Sequence, residues 1–231
     1  MLIIGLTGSI GMGKSTAASH FRARGIAVFD ADAEVHRLYG RAAVPLIETA
    51  FPGTTVNGVV DRAKLSAALG GSANAFERLE AIIHPLVRAS ERAFVLAEHG
   101  KAARFAVLEV PLLFETGADQ MVDTVVVLTT DEATQRARVM ARPGMTAEKL
   151  AALLERQMGD REKRARADFV VDTSGPVTDT RAQIDQVLVK FFAQRMFDDV
   201  ARGLLVETCI DRKSTRLNSS HPRLSRMPSS A

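Results

Sequence analysis

Residues Gly8-Ser9-Ile10-Gly11-Met12-Gly13-Lys14-Ser15 carry the spacing Gly-x-x-x-x-Gly-Lys-Ser, and no other stretch limits the fold so strongly. The apolar run Leu2-Ile3-Ile4 precedes it and reads as a buried strand, and Ala17 to Arg24 after it suits a helix. Strand, glycine loop and helix in that order let backbone N–H groups converge on a phosphate chain at a helix N-terminus. The glycines permit positive φ and a close approach of the backbone. In such a loop Lys14 reaches the β- and γ-phosphates and the Ser15 hydroxyl ligates magnesium. A chance match in a glycine-rich turn is the competing reading, and strand, loop and position near the chain start all speak against it. The pattern implies a bound nucleoside triphosphate, held by Gly11, Met12, Gly13, Lys14, Ser15 and Thr16.

Beyond the first helix, Gly25 marks a C-cap and Ile26-Ala27-Val28-Phe29 reads as a second buried strand. It runs into Asp30-Ala31-Asp32. Residues two apart on a strand share a face, so both carboxylates could point into the cleft beyond the strand's carboxyl end, where open α/β sheets bind ligands. One of them suits a general base for a hydroxyl acceptor. Alternatively, Asp32 N-caps a helix from Ala33 to Tyr39. From Arg41 to Gly71 the turn signals Pro45, Pro52-Gly53, Asn57-Gly58 and Gly70-Gly71 divide the chain into short pieces. Helix-like segments follow at Asp61–Leu69, Ala75–Ile83 and Leu86–Glu98, with a break or kink expected at His84-Pro85 because proline disfavours helical geometry in the residue before it. His84 could face a substrate there or serve structure alone.

Phe105–Leu108 and Thr124–Leu128 are continuous apolar runs, as expected for central strands of a parallel sheet. Between them, Glu109 could hold magnesium through water and Glu115 could contact substrate, or both could be ordinary loop acids. Asp131 to Ala141 reads as a helix with acids first and Arg136, Arg138 and Arg142 late, matching the helix dipole. A second helix from Ala147 to Met158 runs into Arg161, Lys163, Arg164 and Arg166. Two arginine-rich helices joined by a short loop suggest a lid that clamps phosphates and excludes water. A solvated basic face is the bland alternative, with Arg142 the strongest candidate for a functional role. Phe169-Val170-Val171 is a fifth short strand. The final helix carries the stripe Ile184, Val187, Leu188, Phe191 and Phe192, whose spacing places it on the core.

Composition narrows the function classes. No apolar run approaches the roughly 20 residues of a membrane span, and the single Cys209 excludes an intrachain disulfide, so a cytoplasmic protein without membrane contact is expected. The net charge of +3 invites a nucleic-acid reading, but Asp211 to Ala231 alone carry +4 and leave the rest of the chain at −1, so no nucleic-acid partner is expected. That tail has six serines and no apolar periodicity, which predicts disorder. Its wording resembles the translation of a common sequencing-library adapter, so it is set aside as non-native. Residues 196–210 are ambiguous. A GTP-dependent switch would need Asn-Lys-x-Asp, and the chain has none.

Together these landmarks resemble the dephospho-coenzyme A kinase family. The resemblance rests on GLTGSIGMGKST at 5–16, VFDAD at 28–32, IIHPLV at 82–87, VPLLFE at 110–115, Arg142 and ADFVVD at 167–172. It covers residues 1–195. It implies an α/β fold, a P-loop kinase-type parallel sheet flanked by helices, with a helical substrate region near 60–100 and a helical lid near 131–165. It also implies transfer of the ATP γ-phosphoryl group, with Mg2+, to the ribose 3′-hydroxyl of dephospho-coenzyme A, by a monomer or weak homo-oligomer. On this resemblance Asp32 is the base, Lys14 and Arg142 stabilise the transferring group, and His84, Leu113 and Glu115 line the acceptor site. Two positions depart from the family pattern: Ser9 stands where glycine is usual, and Thr173 where asparagine is common near the adenine. Another small-molecule or nucleotide kinase on the same core is the runner-up.

Overall fold

The computed structural model describes residues 1–191 and 193. The expectations for 194–231, including Arg195 and the tail, lie outside them, as does Phe192. By compactness the chain divides into residues 1–184 and 185–231. Everything below concerns the first unit unless stated.

Five parallel strands build the sheet. They are β1 (Leu2–Thr7), β2 (Ala27–Asp30), β5 (Phe105–Glu109), β6 (Thr124–Thr129) and β7 (Phe169–Asp172), in spatial order β2-β5-β1-β6-β7. Central β1 pairs with β5 from Leu2↔Phe105 to Leu6↔Glu109, and with β6 from Ile4↔Thr124 to Thr7↔Val127. Every residue of β5 and β6 is buried. Helices on both faces leave those strands no wet side, which is why they read as unbroken apolar runs. The chain leaves β1 toward β2 on one flank and later returns to β6 on the other. The carboxyl end of β1 is therefore the switch point where a crevice opens, and the glycine loop sits there.

A second, helical core lies to one side. Helices α2 (Ala31–Leu38), α3 (Ala43–Ala50), α4 (Arg62–Leu69) and α5 (Ala73–Gly100) pool Leu38, Ile47, Phe51, Leu65, Leu69 and Ile83. A two-residue hairpin, β3 (Thr55–Val56) and β4 (Val59–Val60), turns at Asn57 and Gly58, both at positive φ. Asparagine–glycine is the favoured pair for that turn. The helical region thus recruits residues from well before 60.

Three expectations change here. The helix after β2 starts at Ala31, and its cap is Asp30, whose carboxylate accepts from Ala33 N–H. Asp32 therefore lies in the first helical turn, not on a strand face shared with Asp30. Of the break or kink expected at His84-Pro85, the break is absent: α5 runs through Pro85 for 28 residues. Proline forfeits one hydrogen bond, but packing of α5 against α2 and α3 holds the flanks in helical register. The second lid helix is α7 (Ala147–Glu155), after α6 (Glu132–Met140), and the basic run forms a separate helix, α8 (Asp160–Arg166). Residues 177–191 are helical, with Ile184 fully buried and Val187 and Leu188 nearly so.

Candidate active site

The glycine loop leads from β1 into α1 (Lys14–Ala23), with Gly13 at the N-cap in the left-handed region. Two glycines are required on geometric grounds. A Cβ at Gly8 would stand 2.6 Å from the Leu128 carbonyl oxygen, and one at Gly11, where φ is +81, would stand 2.7 Å from Val139 Cγ2. The loop is thus wedged between β6 and α6. The first turn of α1 offers unpaired N–H groups and the positive end of the helix dipole to an anion.

This loop floors a cleft of about 1230 Å³. Lys14, Ser15 and Thr16 line it from α1, Asp30 and Asp32 from the β2–α2 junction, Glu109 from the end of β5, and Arg138, Arg142 and Arg156 from α6 and the segments that follow α6 and α7. Lys14 Nζ donates to the carbonyls of Gly8 at 2.6 Å and Ser9 at 3.1 Å. Burial pushes its pKa down to about 8, opposed by the nearby Asp32 and Glu109 carboxylates. Asp32 opens to the cleft, yet partial desolvation and then Asp30 raise its pKa above the ordinary aspartate value. Glu109 is raised in the same way, by burial first and Asp30 second. It is a buried residue at the end of a strand, not a loop acid.

A second cavity of about 440 Å³ lies among α2, α4 and α5. Asp32, His36 and Phe76 line both spaces, so the two meet at Asp32. Leu65, Leu69 and Leu79 give the smaller one an apolar side, and Arg62, Ser66 and Tyr39 give it a polar one.

The α6–α7 segment touches the rest of the site at defined points. Arg138 donates to the Thr173 carbonyl at 2.6 Å and to its hydroxyl at 3.0 Å, and that hydroxyl also lies within hydrogen-bond reach of the carbonyls of Thr129 and Met12. The departure at 173 therefore places a small hydroxyl between loop, sheet and lid. The Arg156 guanidinium stacks 4.0 Å over the Phe76 ring, joining the end of α7 to α5. Arg142 is exposed at the end of α6 and faces the cleft.

Of the residues expected at the site, Lys14, Ser15, Asp32 and Arg142 come together, with the loop that carries them. Three do not. His84 lies on the same face of α5 as Glu77 and Glu80 but one turn farther on, about 6 Å along the axis, and lines neither cavity. Leu113 is fully buried in the core beneath the loop after β5. Glu115 turns inward, 3.0 Å from Lys163 Nζ, and accepts from Met158 N–H at 2.7 Å. The basic run is corrected too. Lys163 is buried, and Arg166 pairs with Asp119 and stacks on Phe114, so neither is a phosphate clamp. Sequence reasoning missed Arg156 and His36, which carry no motif signal.

The family model for dephospho-CoA kinase matches residues 2–179. The chain belongs to the dephospho-CoA kinase family. A dephospho-CoA kinase of Rhodopseudomonas palustris is 58% identical over 188 residues, covering 81% of this chain and 94% of that protein. One from Mesorhizobium japonicum is 54% identical over 195 residues, covering 84% and 99%. Among solved structures, the Thermus thermophilus protein TT1252 superposes with a TM-score of 0.70 at 33% identity, covering 82% of this chain and 97% of that one. A dephospho-CoA kinase from Campylobacter jejuni gives 0.63 at 26%, covering 82% and 96%. The expected P-loop kinase architecture of the dephospho-CoA kinase family is the one observed. Among the described residues no helix is long and apolar enough to cross a membrane.

Proposed function

We propose that this chain transfers the γ-phosphoryl group of ATP to the ribose 3′-hydroxyl of dephospho-coenzyme A, giving coenzyme A and ADP. The observation that carries the reading is the position of Asp32, on the boundary between the phosphate cleft and the smaller cavity among α2, α4 and α5. An acceptor whose ribose sits at that boundary presents its hydroxyl to Asp32 on one side and to the γ-phosphate on the other. The hydroxyl proton passes to the Asp32 carboxylate as the new O–P bond forms and the bond to the β-phosphate breaks. A carboxylate raised in pKa is a better proton acceptor than an ordinary one. Lys14, from the loop, and Arg142, from the lid, offset charge on the transferring group.

The donor set fits a hard divalent cation. The exposed Ser15 hydroxyl and the carboxylates Asp30, Asp32 and Glu109 share one cleft, and Asp30 raises the pKa of both other acids. These oxygen donors suit Mg2+, which keeps several waters and binds through one or two protein oxygens plus phosphates. Ser15 would hold it directly and Glu109 through water. Held there, the cation would neutralise charge developing on the phosphates. A cytoplasmic location accords with the lone cysteine.

The test is mass spectrometry of a reaction holding ATP, Mg2+ and dephospho-coenzyme A. Coenzyme A and ADP should form in equal amounts. A chain that leaves dephospho-coenzyme A untouched but phosphorylates a mononucleotide or shikimate would be a different small-molecule kinase on the same core.

A further inference from the structure

Ile10, at the tip of the glycine loop, has both backbone polar groups taken by side chains of the lid. Its N–H donates to Gln157 Oε1 at 3.1 Å, and its carbonyl accepts from Gln135 Nε2 at 2.8 Å. Gln135 lies in the second turn of α6 and Gln157 just beyond α7, so the two amides stand at the two roots of the lid. Their polarity is opposite. An N–H can only donate and a carbonyl can only accept, so Ile10 fixes which way round each amide points.

Gln135 is buried, and the space a Cβ would take at Gly11 lies 3.3 Å from its Cγ and 3.1 Å from its carbonyl oxygen. The α6 backbone therefore rests directly on the residue that follows Ile10. The next residues, Gly11 to Thr16, supply the N–H groups of the phosphate cradle. Any shift of Ile10 is passed to that cradle through one peptide bond, and any shift of the lid roots is passed to Ile10 through two hydrogen bonds.

We propose that Gln135 and Gln157 are positioning residues of the nucleotide site, joining both roots of the lid to the loop tip so that lid and phosphate cradle move as one body. Gln135 does not line the cleft; Gln157 does, but its Oε1 is taken by Ile10 N–H, so each amide is assigned its role through Ile10. The proposal rests on the kinase reading above, but its nucleotide half is measured without any acceptor.

The test compares methionine and glutamate at both positions, with affinity for a fluorescent ATP analogue and Mg2+ as readout. Gln135→Met and Gln157→Met preserve volume and remove one hydrogen bond each, and each should weaken binding about 10-fold. Glutamate separates the positions. Gln157→Glu keeps an acceptor for Ile10 N–H and should bind the analogue more tightly than Gln157→Met. Gln135→Glu sets a carboxylate against the Ile10 carbonyl and should bind more weakly than Gln135→Met. A side chain that merely fills space would rank the two substitutions alike at both sites. Turnover assays should show the ATP KM raised and the dephospho-coenzyme A KM unchanged. Urea midpoints report folding, and if Gln135→Glu fails to fold, the two methionine variants and Gln157→Glu still decide the matter. The proposal is overturned if both methionine variants bind within about twofold of the parent, or if the glutamate ranking is the same at both positions. A parent chain that binds the analogue but leaves dephospho-coenzyme A unphosphorylated sinks the acceptor assignment alone.

Discussion

The ammonium of Lys163, with no exposed surface, lies 3.0 Å from Glu115 Oε1. Lys163 also donates to the Pro111 carbonyl at 3.2 Å, and the Thr7 hydroxyl donates to that same oxygen at 3.1 Å. Two oxygens thus join α8, the loop after β5 and the end of β1, and Pro111 and Leu112 of that loop line the cleft. The pair supports the wall of the site and does not form its surface.

Removing one partner of a buried pair strands the other charge, at a cost of about 3–5 kcal/mol. Glu115→Gln, which strands the fully buried Lys163, should lose stability on that scale in urea unfolding. The double variant Lys163→Met/Glu115→Gln should lose less than Glu115→Gln alone, because no charge remains unpaired. Equal losses would mean that the unpaired lysine charge is not what costs stability.

Asp32→Asn should lower turnover on the order of 100- to 10,000-fold, with affinity for the ATP analogue nearly kept. The acid limb of the parent's rate profile should fall at a pH above the ordinary aspartate value, since burial and Asp30 raise this carboxyl. Near-normal turnover of Asp32→Asn would assign the base elsewhere.

Lys14 gives a pH signature. Burial holds it at about 8 in the folded chain, against 10.5 in the unfolded one. Between those values the unfolded chain binds more protons, so the Lys14 contribution favours folding as pH rises through the window. Below about 8 the buried charge is a cost. A polyphosphate reverses the preference, because it stabilises the charged amine. ATP binding at about pH 9, inside that window, should therefore take up a proton, seen by calorimetry in buffers of different ionisation enthalpy. Lys14→Met should abolish most of that uptake, and an unchanged uptake would trace the proton to another group.

Gly11→Ala meets two obstacles, a φ of +81 and Val139 Cγ2 at 2.7 Å. Backbone strain of this kind costs on the order of 1–3 kcal/mol. The variant should bind the ATP analogue at least about 10-fold more weakly, with α6 displaced in a crystal structure. Binding at parental affinity would show that the loop can relax without the lid.

A chain ending at Arg195 should keep full activity with dephospho-coenzyme A, because among the described residues every one that lines the cleft lies at or before Thr180. Steady-state turnover of the shortened and full chains, measured side by side, checks this. Loss of activity on truncation would give the later residues a role that the cleft does not require.

Much of the fold was legible because parallel strands buried on both faces leave an unmistakable trace. Phe105–Leu108 and Thr124–Leu128 fall within a residue of the observed β5 and β6. The phosphate loop was legible because its glycines answer to local backbone geometry, which sequence spacing encodes directly. Asp30 and Asp32 were found as a pair but given the wrong local geometry. The strand passes into the helix without a loop, so the cap falls on Asp30 and not on Asp32. Pro85 misled for a related reason: a local preference of a few kcal/mol yielded to the packing of a 28-residue helix. Glu115 and Lys163 carry no signal at all, since a charge run looks the same whether it meets water or a buried partner.

The sequence by itself determined the parallel sheet, the phosphate loop at its switch point and the acid that follows β2, because each depends on neighbours within a few positions along the chain. Only the tertiary structure decided which charges face the cleft and which brace its wall, and it alone brought Gln135 and Gln157 to Ile10. Those choices depend on burial and on contacts between segments more than a hundred residues apart in the chain, where no local pattern constrains the partner.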